Sequence, residues 1–304
     1  MYADLVCKGG GVKGTALVGA ISYLEEQGYT WKRLAGTSVG AIVTSLLAVG
    51  YTSKEITDIL FDLDYKSLID KKWLNLIPVL GPLINLLMKK GIHSGNPIEK
   101  ILNEKFAAKN KTTFRDISLN GESYLKIIAS DTTNKRLLVL PDDLIHYNIN
   151  PLDFEIAKAV RMSMSVPFYF KPIKLYHNNS PALIVDGGLL SNFPIWLFDS
   201  NDEPKWPTFG LNLYDDYSTE SSKHIKFTSF LLDIAQTSLM TNEDTYFKDS
   251  DSIRIMNIPT LGINSLDFSL SYEQKLSLYN SGYSVAKSFL SNWDFENYLR
   301  MCRR

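Results

Sequence analysis

The chain has 304 residues, 45% of them apolar, and a formal net charge of −1. That composition can bury one large core or two modest ones, and a balanced charge without a long basic run argues against a nucleic-acid partner. The two cysteines, Cys7 and Cys302, are too few for a disulfide framework and are typical of a reducing cytoplasm. No apolar stretch is long enough to span a bilayer, and the first residues enter a strand without room for a signal peptide. We therefore expect a soluble, cytoplasmic protein, and peripheral contact with a membrane stays open.

The first predicted elements are a short strand, a glycine-rich loop at 9–14 and a helix over about 15–27. Such a loop before a helix can present backbone N–H groups to an anion. The Walker A spacing is absent, which excludes that type of phosphate loop. The spacing of Gly9, Gly11 and Gly14 fits a dinucleotide fingerprint, but no acidic residue ends the next strand about 20 positions on. We favour the third interpretation, an oxyanion hole for a tetrahedral intermediate.

The next motif is a turn around Ser38, between a predicted strand at 31–35 and an apolar predicted helix at 41–49. Gly36 and Gly40 stand two positions before and after the serine, as in a nucleophile elbow. Ser38 would lie at the positive end of the helix dipole, where developing negative charge is favoured. Adjacent parallel strands would bring this turn and the glycine-rich loop to one sheet edge. An ordinary tight turn is the alternative, because so short a glycine motif also arises by chance.

A predicted helix over 52–63, which begins with a capping box, is followed by a distinct segment at 71–90. This segment is apolar, carries a lysine pair at each end, and is interrupted by Pro78, Gly81 and Pro82. It is too short and too broken to span a membrane, while its lysines would favour an anionic lipid surface. Two interpretations stay open: a lid or interfacial segment over an active site, and two short helices packed into the core.

Strands and helices alternate through the rest of the chain. Strands are predicted at 124–130, 137–140, 183–185, 208–213 and 252–257, and helices at 94–106, 154–162, 227–241 and 272–298. This alternation predicts an α/β fold, a three-layer sandwich with a mainly parallel central sheet covered by helices on both faces. We predict a single domain over 1–304, with its motifs in a core at about 5–213 and with 214–304 completing the same domain.

A serine nucleophile needs a base. The four histidines lie in no pattern that marks a catalytic base, and we interpret each as a surface residue: His93, His146, His177 and His224. Asp186 instead follows a short apolar strand and precedes Gly187 and Gly188, which allow close approach of another backbone. A carboxylate with the ordinary pKa of about 3.9 is a weak base. Partial burial raises that pKa, and oxyanion donors offset the charge as it forms. On its own, the pattern around Asp186 favours a turn residue before two glycines over a catalytic base.

Together these motifs resemble the patatin-like phospholipase family. The family has a Gly-x-Gly-x-x-Gly oxyanion loop, a Gly-x-Ser-x-Gly serine and an Asp-Gly-Gly/Ala aspartate, which match 9–14, 36–40 and 186–188. The stretch at 161–170 is similar to the Ser/Pro-containing block that precedes the aspartate in the family. The resemblance covers about 5–213. Two departures are Lys13, where arginine is common, and Lys8, which replaces a frequent acidic residue.

The resemblance implies a phospholipase A-type acyl hydrolase that cleaves ester bonds of phospholipids or other lipid esters, without a metal or cofactor. Ser38 would be the nucleophile, Asp186 its base, and the N–H groups of Gly9, Gly10 and Gly11 the oxyanion hole. Transient contact with a membrane surface is expected. Two alternatives remain: a nucleotide- or phosphate-binding protein without hydrolytic activity, and a lipase effector that is inactive until a ligand or partner binds. The oligomeric state is not indicated.

Overall fold

The structure, a computed structural model, describes residues 1–69, 89–177, 180–215, 227–239 and 249–302. The chain divides into two compact units. The first comprises Met1–Leu63, Phe193–Ser218 and Asn242–Arg304, and the second comprises Asp64–Asn192 and Thr219–Thr241. The single domain over 1–304 stays a prediction. Most of the segment at 71–90, and His224, lie outside the described residues.

The secondary structure within these ranges follows the predicted alternation. The strands are β1 (Tyr2–Cys7), β2 (Thr30–Thr37), β3 (Gly91–His93), β4 (Ser118–Leu119), β5 (Glu122–Ser123), β6 (Leu125–Asp131), β7 (Arg136–Leu140), β8 (Phe168–Phe170), β9 (Ile173–His177), β10 (Ser180–Asp186), β11 (Thr208–Tyr214) and β12 (Ile255–Pro259). The α-helices are α1 (Gly14–Glu26), α2 (Val39–Val49), α3 (Ser53–Asp62), α4 (Asn96–Ala108), α5 (Ile156–Ser163), α6 (Phe227–Leu239), α7 (Tyr272–Asn292) and α8 (Phe295–Cys302).

The first unit contains four parallel strands in the order β12-β11-β1-β2. Cys7, the last residue of β1, is paired with Gly36 of β2 and with Leu211 of β11. Because the strands run in one direction, the loops that leave β1 and β2 emerge at one edge, as predicted. One apolar cluster of this unit consists of Val6, Ala35, Phe193, Ile195, Phe198 and Ile255.

In the first unit, helices α1 and α7 approach each other closely at two glycines. A Cβ atom on Gly19 of α1 would lie 2.0 Å from the Tyr279 carbonyl oxygen, and one on Gly282 of α7 would lie 1.9 Å from that of Ala16. The two helices therefore pack backbone against backbone.

Helix α2 ends at Gly50, whose φ of 102° lies in the left-handed region. Among the described helices, none is both long and apolar enough to cross a bilayer.

The second unit contains strands in the order β7-β6-β10-β9, and each of these pairs is antiparallel. Strands β6 and β7 form a hairpin closed by a turn after Asp131, whose carboxylate accepts from the N–H groups of Thr133 and Asn134. Helix α5 packs against β6 and β10. The buried residues of this helix include Ile156, Ala157, Ala159 and Val160. The sheet strands are thus mixed in direction, which the alternating pattern did not predict for this unit.

Two further features differ from the sequence-based expectation. The short strands β3, β8 and β9 were not predicted, because their apolar character is too brief to show a period. The helix predicted over 272–298 is two helices, α7 and α8. The Trp293 ring lies 5.1 Å from that of Phe209, and its indole N–H donates to the Ile253 carbonyl at 3.1 Å. These tertiary contacts thus hold Trp293 in an extended conformation between the two helices.

Candidate active site

Ser38 lies between β2 and α2 in a strained backbone conformation. Its φ of 54° and ψ of −120° lie outside the regions that residues with a Cβ atom ordinarily occupy. The residue is 7% exposed, and its carbonyl accepts the N–H of Ile42 in the first turn of α2. This is the geometry predicted for a nucleophile elbow, in which strain holds a serine at the start of a buried helix.

The glycines around Ser38 are required by close packing. A Cβ atom on Gly36 would lie 2.4 Å from the carbonyl carbon of Gly40, so the two glycines approach each other across the turn. A Cβ atom on Gly40 would lie 2.2 Å from the Cys7 carbonyl oxygen and 2.8 Å from that of Lys8. The first turn of α2 therefore rests against the chain where β1 passes into the glycine-rich loop.

The glycine-rich loop continues from β1 into a short 3-10 helix, Gly11–Lys13, and then α1. Gly11 has a φ of +62°, and a Cβ atom there would lie 1.9 Å from the Ser265 carbonyl oxygen. That carbonyl accepts the N–H of Val12 at 3.0 Å. Gly14 also touches the elbow, since its Cβ atom would lie 2.7 Å from a methyl group of Val39. The loop and the elbow are thus packed together, as their shared sheet edge predicted.

Three N–H groups of this loop are available as donors. Within the described part of the chain, the N–H groups of Gly9, Gly10 and Gly11 donate to no backbone or side-chain acceptor. Gly9 is buried and Gly10 half-buried, and a buried N–H without an acceptor is energetically unfavourable. A Cβ atom on Gly10 would lie 2.3 Å from Cδ1 of Leu213, the end of a flexible side chain. Chemically, the loop can donate hydrogen bonds to an anionic oxygen.

Lys13 is turned into the protein and held by an ion pair. Its side chain is 3% exposed, and its Nζ donates to both carboxylate oxygens of Asp215 at 2.6 and 2.9 Å. It also donates to the Thr260 hydroxyl at 3.3 Å. Burial lowers the pKa of Lys13, and the negative charge of Asp215 opposes that shift. The lysine therefore connects the glycine-rich loop to the residues that follow β11 and β12.

Asp186 ends β10 in the second unit and is 1% exposed. Its Oδ1 accepts the N–H of Gly188 at 2.8 Å, and its own N–H donates to the Ser165 carbonyl at 2.9 Å. Gly187 packs on β6, since a Cβ atom there would lie 2.3 Å from the Ile128 carbonyl oxygen. Buried carboxylates are uncommon without such N–H donors, so Asp186 is held in place rather than solvated.

The histidines of the described residues do not share one environment. His146 is exposed and lies 3.5 Å from Asp143, and Nδ1 of His177 donates a hydrogen bond to the His146 carbonyl at 2.5 Å. His93, however, is buried, and its ring lies 4.9 Å from that of Tyr169. The interpretation of every histidine as a surface residue is therefore wrong for His93. Its place in β3, a strand too short to predict, explains the error.

Comparison with known proteins now decides the family. The sequence model of the family described as Patatin-like phospholipase matches residues 5–199. The chain belongs to the patatin-like phospholipase family. Residues 5–199 include the glycine-rich loop, the Ser38 elbow and the Asp186 turn. The family prediction is thus confirmed, and the matched region ends somewhat earlier than the expected core at 5–213.

Relatives of the patatin-like chain occur in bacteria and viruses. The chain is 38% identical over 296 residues to the uncharacterized protein YqhO of Bacillus subtilis, covering 97% of this chain and 100% of YqhO. It is 27% identical over 266 residues to the probable lipid hydrolase 463L of invertebrate iridescent virus 6, covering 84% of this chain and 86% of that protein. The similarity therefore extends beyond the matched family region in both relatives.

Two solved structures share the fold. VipD of Legionella pneumophila matches with a TM-score of 0.57 at 18% identity, over 95% of this chain and 66% of VipD. The type III effector ExoU matches with a TM-score of 0.53 at 18% identity, over 95% of this chain and 53% of ExoU. The chain thus spans about half to two thirds of these larger proteins. The comparison confirms the α/β fold class, with mostly parallel strands flanked by helices.

The structure brings together the predicted residues within each unit. Five of them form one packed edge of the first unit, next to Gly9 and Gly10. These five are Gly11, Gly14, Gly36, Ser38 and Gly40. Asp186, Gly187 and Gly188 form the turn after β10 in the second unit. The partners of Lys13 were missed by the sequence analysis. Asp215 directly follows a strand whose carboxyl end lies at the same edge, which is a signal that could have identified it.

Proposed function

We propose that this chain is a lipid acyl hydrolase that cleaves ester bonds of phospholipids with a Ser38–Asp186 dyad. The observation that carries the proposal is the strained Ser38 elbow packed against a loop with available N–H donors. Family membership and the similarity to probable lipid hydrolase 463L support a lipid ester as substrate. A strained serine at a helix N-terminus is otherwise an unfavourable arrangement for a residue with a Cβ atom.

In the proposed reaction, Ser38 Oγ attacks the ester carbonyl carbon while Asp186 accepts the hydroxyl proton. The N–H groups of Gly9, Gly10 and Gly11 donate to the tetrahedral oxyanion. The intermediate collapses, and the leaving alcohol takes the proton from Asp186. Water then attacks the acyl-enzyme, giving its proton to Asp186, and the fatty acid leaves as Ser38 regains its hydrogen. No residue in this sequence of steps calls for a metal or cofactor.

The proposal is tested by mass spectrometry of lipid products from phospholipid vesicles. Ser38→Ala and Asp186→Asn should each lower the rate by roughly a thousandfold or more, since removing either member of a catalytic pair disables the other. Both variants should keep the wild-type circular dichroism spectrum. His93→Gln is the matched control, because it alters a buried ionisable side chain of the second unit. A large loss in His93→Gln, with activity retained in Asp186→Asn, would assign the base to histidine instead.

A fluorophosphonate probe separates this proposal from a nucleotide-binding function, because only an activated serine forms the covalent adduct. Wild-type protein should be labelled at Ser38, and Ser38→Ala should not. Labelling without lipid turnover would point to an effector that needs a partner or ligand. An absence of labelling together with nucleotide binding would favour the phosphate-binding alternative.

The proposal includes transient contact with a membrane surface, since the substrate is membrane lipid. Replacing the lysine pairs of 71–90 by glutamine should lower activity on anionic vesicles more than on a soluble short-chain ester. Equal losses on the two substrates would remove this segment from the proposal.

A further inference from the structure

Arg161 is a fully buried cation in the second unit. It lies in α5, close to the end of that helix, and has no exposed surface. Burying a guanidinium is costly unless its N–H groups are satisfied, so arginine is rarely enclosed without a specific purpose. The sequence analysis noted the stretch at 161–170 but assigned no role to this residue.

The guanidinium joins three separate pieces of chain. One terminal nitrogen donates to the hydroxyl of Ser165 at 2.5 Å. The other donates to the carbonyl of Ser94, which follows β3, and to the carbonyl of Lys171, which follows β8, the latter at 2.9 Å. The planar fork of arginine suits several fixed acceptors, whereas a lysine ammonium is a point donor.

The local sequence makes room for this cation. Gly95 has a φ of +71°, and a Cβ atom there would lie 2.2 Å from Nε of Arg161. The Phe170 ring lies under the guanidinium, with the central carbon 5.4 Å from the ring centroid. A site with a required glycine, an aromatic face and defined acceptors is built for arginine.

Ser165 connects this cation to Asp186. Its hydroxyl accepts from Arg161 and donates to the Arg161 carbonyl at 2.7 Å, which holds the turn after α5. The carbonyl of the same residue accepts the backbone N–H of Asp186 at 2.9 Å. The main chain of Asp186 is thus fixed by a residue that Arg161 fixes in turn.

We infer that Arg161 is a positioning residue for Asp186, acting through Ser165. Its charge-assisted hydrogen bonds fix the turn after α5, and that turn sets the position of the aspartate at the end of β10. The catalytic consequence rests on the proposed function. The structural consequence does not, because it concerns only how firmly the Asp186 backbone is held.

The test uses Arg161→Lys and Arg161→Met in the full chain. Hydrogen exchange of backbone amides over residues 183–190 is measured first, since it does not depend on activity. We expect exchange there to be at least about tenfold faster in Arg161→Lys than in wild type. At equal folded fraction, kcat on a soluble short-chain ester should fall about tenfold to a hundredfold with KM unchanged, because misplacing a catalytic group has effects of that size.

Two further variants keep the result interpretable if Arg161→Met does not fold. Ser165→Ala removes the hydroxyl but retains the carbonyl that holds Asp186, so a smaller change of the same kind is expected. Arg254→Lys is the matched control. Arg254 is a buried arginine of the first unit, paired with Asp199 and Asp251. It should lose stability while kcat per folded molecule and exchange over 183–190 stay at wild-type values.

The outcomes separate the inference from the proposed function. Unchanged exchange over 183–190 in a folded Arg161→Lys would overturn the positioning role. Faster exchange in this stretch, together with no Ser38-dependent hydrolysis in wild type, would support the positioning role and reject the hydrolase. Equal changes in Arg161→Lys and Arg254→Lys would reduce Arg161 to a general contribution to stability.

Discussion

The serine and the aspartate are held in place by different means. The Ser38 turn belongs to a unit of parallel strands, and it is defined by glycines whose neighbours lie too close for a Cβ atom. Its loop is tied down by an ion pair between Lys13 and Asp215. The Asp186 turn belongs to antiparallel strands and is held by donated backbone hydrogen bonds. The cation behind it, Arg161, contacts carbonyl and hydroxyl oxygens.

This difference shows two ways of making a rigid turn. Around Ser38 the constraint is steric and local, because a side chain at either glycine would force the backbone apart. Around Asp186 a steric constraint at Gly187 is joined by polar constraints, and these pass through residues distant in sequence. Steric constraints fail abruptly when an atom is added, whereas polar constraints weaken gradually as donors are removed. The following predictions test this contrast.

The largest effect is expected from adding a methyl group to the elbow. Gly40→Ala places a Cβ atom 2.2 Å from the Cys7 carbonyl oxygen, so the strand or the helix must move. We expect a loss of more than about 3 kcal/mol in the free energy of unfolding, at or beyond the upper range for overpacking. Gly187→Ala, with its contact of 2.3 Å, should behave similarly. Urea denaturation followed by circular dichroism measures both.

Each unit provides its own control for these alanine variants. Gly28 in the first unit and Gly121 in the second have positive φ but nothing within 4 Å of a Cβ atom. Gly28→Ala and Gly121→Ala should lose only about 1 to 2 kcal/mol, the cost of a left-handed conformation for alanine. Losses as large as that of Gly40→Ala would show that backbone conformation, rather than close approach, makes glycine necessary.

A second effect of similar or slightly smaller size is expected at the ion pair. Lys13→Met leaves the carboxylate of Asp215 without its partner, and breaking a buried pair costs about 3 to 5 kcal/mol. We expect the lower end of that range, since the Asp215 side chain is 28% exposed and water can partly solvate it. The double variant Lys13→Met/Asp215→Leu should recover much of the loss. A single variant as stable as wild type would contradict a structural role for the pair.

The smallest effect concerns alkaline pH and the second unit. Burial raises the pKa of Tyr169 above its ordinary value of about 10. Because the folded pKa is the higher one, this stabilising contribution is complete below about pH 10 and is lost as the pH rises further. Tyr169→Phe should therefore reduce the alkaline decline of the unfolding free energy by up to about 1.4 kcal/mol per pH unit. Urea midpoints between pH 9 and 11 measure it.

The exposed Tyr176 of the same unit supplies the control, because Tyr176→Phe removes an exposed hydroxyl instead of a buried one. Its alkaline slope should match that of wild type. If Tyr169→Phe also follows the wild-type slope, the phenol of Tyr169 is accessible to solvent before the second unit unfolds.

Much of the first unit could be predicted, because its constraints lie in short stretches of chain. The capping box at Thr52, the left-handed Gly50 and the elbow around Ser38 each depend on residues a few positions apart. The antiparallel pairing of the second unit was not predicted. A strand's period shows which face is buried, but it does not show the direction of its neighbour.

What the amino-acid sequence determined by itself is the set of turns: the glycine-rich loop, the serine between two glycines and the aspartate before two more. Glycine spacing carries that information because only glycine permits those backbone approaches. The tertiary structure alone decided which charges hold these turns. Lys13 and Asp215 are 202 positions apart, and Arg161 and Ser94 are 67 apart. Pairing over such distances depends on how strands and helices pack, since no local pattern specifies where a buried cation finds its acceptors.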